Sequence, residues 1–438
     1  MTRVFLFDNS SQLNPMWLVG WRSDTKDGHN MRFGDMLRQA RSAKGLTQTE
    51  LGGGAYSTHY IALLERGQRQ PTPHMVEHFA ARLGMDAQTL NWWVEPPSND
   101  NLPALAAAMF AANYARDMQD DALAASEAEQ AANIAYEQRN AAAWWDMSML
   151  QAQSLIAARR LQHAESVLQR MEASSLMVAT ADLRSVVQGL LSTIARNSGR
   201  LLEALELARR SVASAVELPD HAPARLQAHF ILIAALSVKG DLDEAWAVAT
   251  SLDISEEWPS VPSLLIARGA WAIGNVAFRR GEVELGREHH AVAARLLLPQ
   301  TDLAAWIDFH LASAHHKLQA GVLDDSVRES IRNAALGLEL LDAPVQRLEL
   351  TLVQVRLALL DDDLGKAKDL LDLVEGQRDL LGFEGITELE DSLGQYYLAA
   401  QSPGQAVHHL TEAARLHSEA GADERAREVT DRIGALPR

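Results

Sequence analysis

The sequence predicts an all-α chain in which a compact domain of five short helices is followed by a long solenoid of helical hairpins. Three observations carry this. Apolar residues recur at helical spacing from residue 32 onward, with few strand-like alternations. A cluster of three prolines, Pro96, Pro97 and Pro103, interrupts the pattern and marks a linker over 96–103. Beyond that linker, over 104–438, a turn position returns about every 40 residues.

Residues 1–30 show no sustained periodicity and read as an N-terminal extension, with Met31 standing immediately before the first helical pattern. The five helices fall within 31–95. Phe33, Met36, Leu37 and Ala40 share one face of the first, which stops at Lys44-Gly45. Thr47 is placed to cap the second helix, with Glu50 closing a capping box. That helix breaks at Gly52-Gly53-Gly54, and Ser57 caps a third running from Thr58 to Arg66. Pro73 starts a fourth that ends at Leu83-Gly84, and Asp86 caps a fifth carrying Leu90, Trp93 and Val94. Leu37, Leu51, Ile61 and Leu64 are the expected core.

In the repeat region a turn residue is followed five positions later by a small one. The pairs are Gln119/Ala124, Arg159/Ala164, Gly199/Ala204, Gly240/Ala245, Gly281/Gly286, Gly321/Ser326, Asp362/Ala367 and Gln401/Ala406. Each pair predicts an antiparallel helix hairpin. The small residue lets the second helix approach its neighbour, and stacking buries the shared apolar faces.

Composition narrows the function classes. There are no cysteines, which removes disulfides, thiolate metal sites and cysteine nucleophiles. No apolar run is long enough for a signal peptide or a membrane helix, so a soluble cytoplasmic protein is expected. The net charge is −18, but residues 31–70 carry six basic residues against three acidic ones. A basic patch at one end of an acidic chain suits a domain whose nucleic-acid contacts are local.

The stretch Leu46-Thr47-Gln48-Thr49-Glu50-Leu51 through Tyr56-Ser57-Thr58-His59-Tyr60-Ile61-Ala62-Leu63-Leu64-Glu65-Arg66-Gly67 to Pro71 resembles the lambda-repressor-like, XRE-type helix-turn-helix. It departs from the pattern in the link Gly52–Tyr56, which is about one residue shorter and richer in glycine than the commonest form. The resemblance implies that the third helix enters the major groove of double-stranded DNA and that the second crosses the backbone. Ser57, Thr58 and His59 at the head of the third helix are then candidates for base edges, and Leu63 for a thymine methyl. Gln48 is a phosphate candidate at a helix start, as are Arg38, Arg41, Arg66 and Arg69.

The repeat resembles a tetratricopeptide array, with units six or seven residues longer than that family's period. Leu393-Gly394 with Tyr397 match the family's first-helix pattern, and Gly274 with Phe278 match it in part. The resemblance implies a right-handed solenoid whose first helices line a concave surface. The position six before each turn then reads Asn113, Gln153, Thr193, Ala234, Asn275, His315, Arg356 and Gln395, seven of eight polar. Such a ladder can hold an extended peptide backbone, with Arg196, Arg268 or Arg279 taking a carboxylate. Asp146, Gln227 and Asp308 fall at a second concave position, and Trp271 and Phe230 at a third that forms an apolar floor.

An XRE-type domain joined to such an array resembles the Rgg and PlcR group of peptide-sensing regulators. The resemblance implies a homodimeric transcription regulator, a palindromic operator and a signalling peptide or protein partner. Two alternatives stay open: an array that only dimerises or docks another protein, and a solenoid adaptor without DNA binding. His74 and His78 have the spacing of metal ligands but no third partner, so a solvated helix face is expected. The pairs His289-His290, His315-His316 and His408-His409 are expected at the surface. No phosphate loop, dinucleotide fingerprint or nucleophile elbow occurs, and nothing supports catalysis or a cofactor.

Overall fold

The computed structural model describes residues 33–85, 87–94, 102–174, 180–252 and 261–436, with the side chains of residues 88, 89 and 92 left aside. The expectations for the N-terminal extension, for Asp86 and for most of the linker lie outside these residues. Among them every regular element is helical, and no helix is long and apolar enough to cross a membrane. The described residues divide into two compact units, one up to Val187 and the other from Gln188 onward.

The first unit begins with α1 (Phe33–Ala43), α2 (Gln48–Gly52), α3 (Thr58–Glu65), α4 (Pro73–Leu83) and α5 (Ala87–Val94). Phe33, Met36, Leu37 and Ala40 are buried, and Leu37, Leu51, Ile61 and Leu64 are fully enclosed together with Phe79 and Leu90. The capping box forms: Glu50 N donates to Thr47 Oγ1 at 3.2 Å and Thr47 N donates to Glu50 Oε2 at 2.7 Å. Gly34 permits close packing of α1 on α3, since a Cβ there would stand 2.2 Å from the Leu64 carbonyl oxygen. His78 is half-buried with Nε2 at 3.0 Å from the Gly52 carbonyl, so it anchors the link after α2 rather than lying on a solvated face.

Eight hairpins follow. The first unit holds α6 (Leu102–Asp117) with α7 (Asp121–Glu137) and α8 (Ala141–Ala157) with α9 (Leu161–Glu172). Leu102 and Pro103 already belong to α6, so the array starts two residues earlier than the proline pattern suggests. Then come α10 (Ala181–Asn197) with α11 (Leu201–Ala215), α12 (Pro223–Lys239) with α13 (Leu242–Ser251), and α14 (Ser263–Arg279) with α15 (Val283–Leu296). The last three pairs are α16 (Leu303–Gln319) with α17 (Asp325–Leu340), α18 (Pro344–Leu360) with α19 (Leu364–Glu375), and α20 (Phe383–Ala399) with α21 (Pro403–Glu419). A single helix, α22 (Asp423–Gly434), closes the chain. Seven of the eight first helices are 17 residues long, roughly 25 Å, which accounts for the long period.

All eight predicted turn residues have positive φ, from 56° at Gln401 to 104° at Gly240. A left-handed residue there reverses the chain and ends the first helix. Seven of the eight small residues are buried; Ser326 is half-buried because α17 starts later after its turn, and Val327 takes the inward place. The position seven before each turn, Ala112, Ala152, Ser192, Ile233, Gly274, Ala314, Val355 and Gly394, is buried in every hairpin.

Within the second unit the C-terminal helices fold back on its beginning. A Cβ on Gly199 would meet the Phe383 ring at 2.8 Å, and one on Gly421 would meet Leu202 at 2.8 Å. Gly240 stands against Glu424 and Arg425 of α22. The inner surface of this unit is therefore narrow. That closure buries His315 and His316, while His290 is enclosed against Gly274 and Phe278; all three were expected at the surface.

Candidate nucleic-acid interface and inner surface of the array

At the head of α3 the Ser57 hydroxyl accepts from Tyr60 N at 3.2 Å, which fixes the first turn. Thr58 Oγ1 lies 3.0 Å from Thr49 Oγ1, tying α3 to α2 by their exposed edges. Ser57, Thr58 and His59 are exposed together and Leu63 is half-buried one turn on. Gly53 and Gly54, with φ of 58° and 80°, make the short link possible.

What holds α2 and α3 at their angle is a charge network the sequence did not reveal. Glu65 is 6% exposed at the end of α3. Its carboxylate accepts from Arg41 Nε at 2.5 Å, from Arg41 Nη2 at 3.2 Å and from Gln48 Nε2 at 2.8 Å. Arg41 Nη1 donates to the Leu46 carbonyl at 2.7 Å. Arg41 thus commits three of its five donors inside the domain, and Gln48 keeps one amide N–H beyond its bond to Glu65. Arg82 of α4 donates to the Glu50 carbonyl through Nε at 3.1 Å and Nη2 at 2.6 Å, bracing α2 from the other side. Arg38, Arg66 and Arg69 remain exposed. The signal for Glu65 was an acidic residue following Ala62-Leu63-Leu64, at a helical position that faces the core.

The ladder of the array takes a different form from the open polar surface expected. Gln153, Thr193, Ala234, Asn275, His315 and Arg356 are buried, and Asn113 and Gln395 are half-buried. First helices pack between neighbours, and in the second unit the narrow interior encloses the face they turn inward. Asn113 bonds its own helix, with Nδ2 donating to the Met109 carbonyl at 2.7 Å, and Thr193 Oγ1 donates to the Gly189 carbonyl at 3.1 Å. Asn275 Oδ1 lies 3.0 Å from His290 Nε2.

The arginines proposed for a ligand carboxylate have partners within the chain. Arg268 Nη2 meets Asp302 Oδ2 at 3.2 Å, and burial pulls the guanidinium down while pushing the carboxyl up. Arg356 Nη2 lies 3.4 Å from Glu388 Oε1 and 3.7 Å from Asp391 Oδ2. Arg279 donates to the Ser237 carbonyl, and burial together with nearby Arg425 lowers it to about 9. Arg196 is buried and Gln227 half-buried. Asp146 is half-buried with its carboxyl raised by burial, and Asp308 is buried. Phe230 and Trp271 are core residues, with Trp271 edge-on to Phe309 at 5.8 Å.

Several groups in the second unit were not anticipated. Glu384, Glu388, Glu390 and Asp391 of α20 are all buried. Glu390 is met by Arg378 at 2.6 Å and His409 Nδ1 at 2.8 Å, and Asp391 by Arg432 and by Gln395 at 2.5 Å. Among the described residues no group of three or more side chains is arranged to hold a metal ion.

Residues 32–93 match a family described as helix-turn-helix domain, and the N-terminal domain is of this kind. No curated protein sequence matches the chain. Three similar solved structures are complexes. PlcR of Bacillus thuringiensis in complex with the peptide PapR7 and DNA is 9% identical, with 70% of this chain and 95% of that one covered and a TM-score of 0.37. A Rap protein complexed with competence and sporulation factor is 11% identical, covering 92% and 97% at a TM-score of 0.47. The Rap conjugation gene regulator of plasmid pLS20 with the Phr* peptide is 13% identical, covering 92% and 96% at 0.38.

Proposed function

We propose that the protein is a homodimeric, sequence-specific transcription regulator that reads DNA through α3 and binds an effector, a peptide in the leading reading, on the inner surface of its array. The observation that carries the DNA half is the contrast within α2 and α3. Glu65, Arg41 and Gln48 lock the helices together, while Ser57, Thr58 and His59 stand exposed at the head of α3. A rigid helix presenting short polar side chains at its N-terminal turn is what direct readout in the major groove requires. Arg38, Arg66 and Arg69 supply exposed positive charge for phosphates, and the spare N–H of Gln48 a further donor. Arg41 acts as a positioning residue.

Two copies related by a two-fold axis would read a palindromic operator with half-sites about one helical turn, or a multiple, apart. An effector that prefers one curvature of the array would shift that spacing. Selection of random duplexes by the purified full chain, followed by sequencing, tests the reading. A palindromic motif is expected, and His59→Ala should relax one base pair per half-site by about 1–3 kcal/mol while leaving the others intact. No enrichment over unselected duplexes would overturn it.

One observation favours a second reading, in which the array serves assembly alone. The first array helix, α6, carries only Arg116 and Asp117 as charges, and exposes Phe110 and Tyr114, with Met118 exposed just past its end. Phe110 and Tyr114 stack at 6.0 Å. An end helix of a solenoid usually has a polar outer face, so this one suits a protein contact. Operator affinity that no peptide changes, together with dissociation by Phe110→Glu, would favour it.

A further inference from the structure

The interior of the second unit brings together polar side chains from helices far apart in sequence. Glu384 and Glu388, one turn apart on α20, are 3% and 5% exposed. Glu388 Oε1 is 3.4 Å from Arg356 Nη2 and accepts from Ser392 Oγ at 3.3 Å, whereas Oε2 has no hydrogen-bond partner among the described residues. The same holds for His315 Nε2 on α16 and for Trp271 Nε1 and Asn275 Nδ2, one turn apart on α14. Leaving a buried polar atom unbonded costs about 1–3 kcal/mol. Four of them in one unit's interior need an explanation beyond the hydrogen bonds among the described residues.

Charge indicates what kind of group is missing. Arg196, Arg279 and Arg425 act on Glu384, and Arg356 acts on Glu388, yet burial, joined at Glu388 by the Asp391 charge, still raises both carboxyls to about 7. The arginines in place do not fully compensate them. A ligand anion would add to that deficit; a ligand cation would remove it and give Glu388 Oε2 a donor.

We propose that the inner surface formed by α14, α16 and α20 takes a peptide by a cationic group, which docks on Glu388 with Glu384 one turn away. This deepens the effector-binding reading and rests on it.

Three random hexapeptide pools with amidated C-termini test it. The first has free amino termini and lacks Lys and Arg. The second is acetylated and also lacks them. The third is acetylated but contains Lys and Arg. Each is passed over the full-length protein, and retained peptides are quantified by mass spectrometry. Retention of the first or third pool at least tenfold above the second is expected, and which of them is retained tells an N-terminal ammonium from a side-chain cation. Glu388→Gln, checked for helix content by circular dichroism, should abolish that preference, and Glu384→Gln should weaken it. Equal retention of the second pool, or an unchanged preference in a folded Glu388→Gln protein, overturns the cation site while leaving effector binding standing. No retention from any pool overturns effector binding and this site with it.

Discussion

The helix-turn-helix domain and the interior of the second unit both bury charge, and they do so to opposite ends. In the first, one carboxylate, Glu65, collects three hydrogen bonds from Arg41 and Gln48. The groups left over point outward. In the second, carboxylates, imidazoles and amides are enclosed with their bonding incomplete. A satisfied buried network rigidifies, whereas an incomplete one is a place where something else can bind. The helix-turn-helix domain is held stiff, and the interior is left with polar atoms to satisfy.

The sharpest way to break this comparison is pH. Burial lowers His290, His310, His315, His316 and His417 and raises Glu384 and Glu388. A histidine held below 6.5 contributes stability that is full above 6.5 and is lost as pH falls. A carboxyl raised from 4.5 to about 7 contributes stability that is full below 4.5 and is lost as pH rises through 7. Between pH 5 and 6 the five histidines outweigh the two carboxyls, so unfolding takes up about three protons and stability rises by up to about 4 kcal/mol per pH unit. The slope should shrink above pH 6.5 and stability level off between pH 7 and 7.5, where the two effects balance. Urea midpoints at pH 5, 6, 6.5 and 7.5 measure this; a flat series would mean the interior is far better solvated than its geometry implies.

Glu65→Ala tests the other side. Removing one partner of a buried pair strands Arg41 and should destabilise the helix-turn-helix domain by about 3–5 kcal/mol. Hydrogen exchange read by mass spectrometry should show faster exchange over 33–94 and unchanged protection over 188–436. Loss of DNA binding with normal protection would instead make Glu65 a surface contact residue.

How much could be read beforehand follows the same division. The helix-turn-helix core was legible because Leu37, Leu51, Ile61 and Leu64 obey a local period, and the capping box because Thr47 and Glu50 are three residues apart. The repeat was legible because a turn demands the same backbone conformation each time, whichever residue fills it. Glu65 with Arg41 and Gln48 was hidden, since their pairing spans 24 and 17 residues and depends on how two helices cross. The inner ladder was placed on the correct helices but expected to be open. Part of its burial is packing between neighbouring hairpins; in the second unit Gly199, Gly240 and Gly421 also receive Phe383, Arg425 and Leu202, contacts that no single repeat encodes. His290 was misjudged for a related reason: helical phase gives a direction around the helix, but not which neighbour stands there.

The smallest expected effect addresses the turns themselves. Gly321 and Gln401 occupy equivalent turns with φ of 78° and 56°. A side chain at Gly321 would meet nothing within 4 Å, so Gly321→Ala is free of clashes and should cost up to about 1 kcal/mol, the left-handed penalty less the unfolded-chain freedom it removes. Gln401→Gly relieves the same penalty but gives the unfolded chain more freedom, which takes back about 0.4–1 kcal/mol. The net gain should therefore be positive and no more than about 1 kcal/mol, read as a rise in urea midpoint at unchanged slope. Opposite signs for the two substitutions would show that the repeat is set by backbone geometry at these turns. If Gln401→Gly destabilises, the glutamine side chain supports its turn through contacts of its own, and the eight turns are not equivalent.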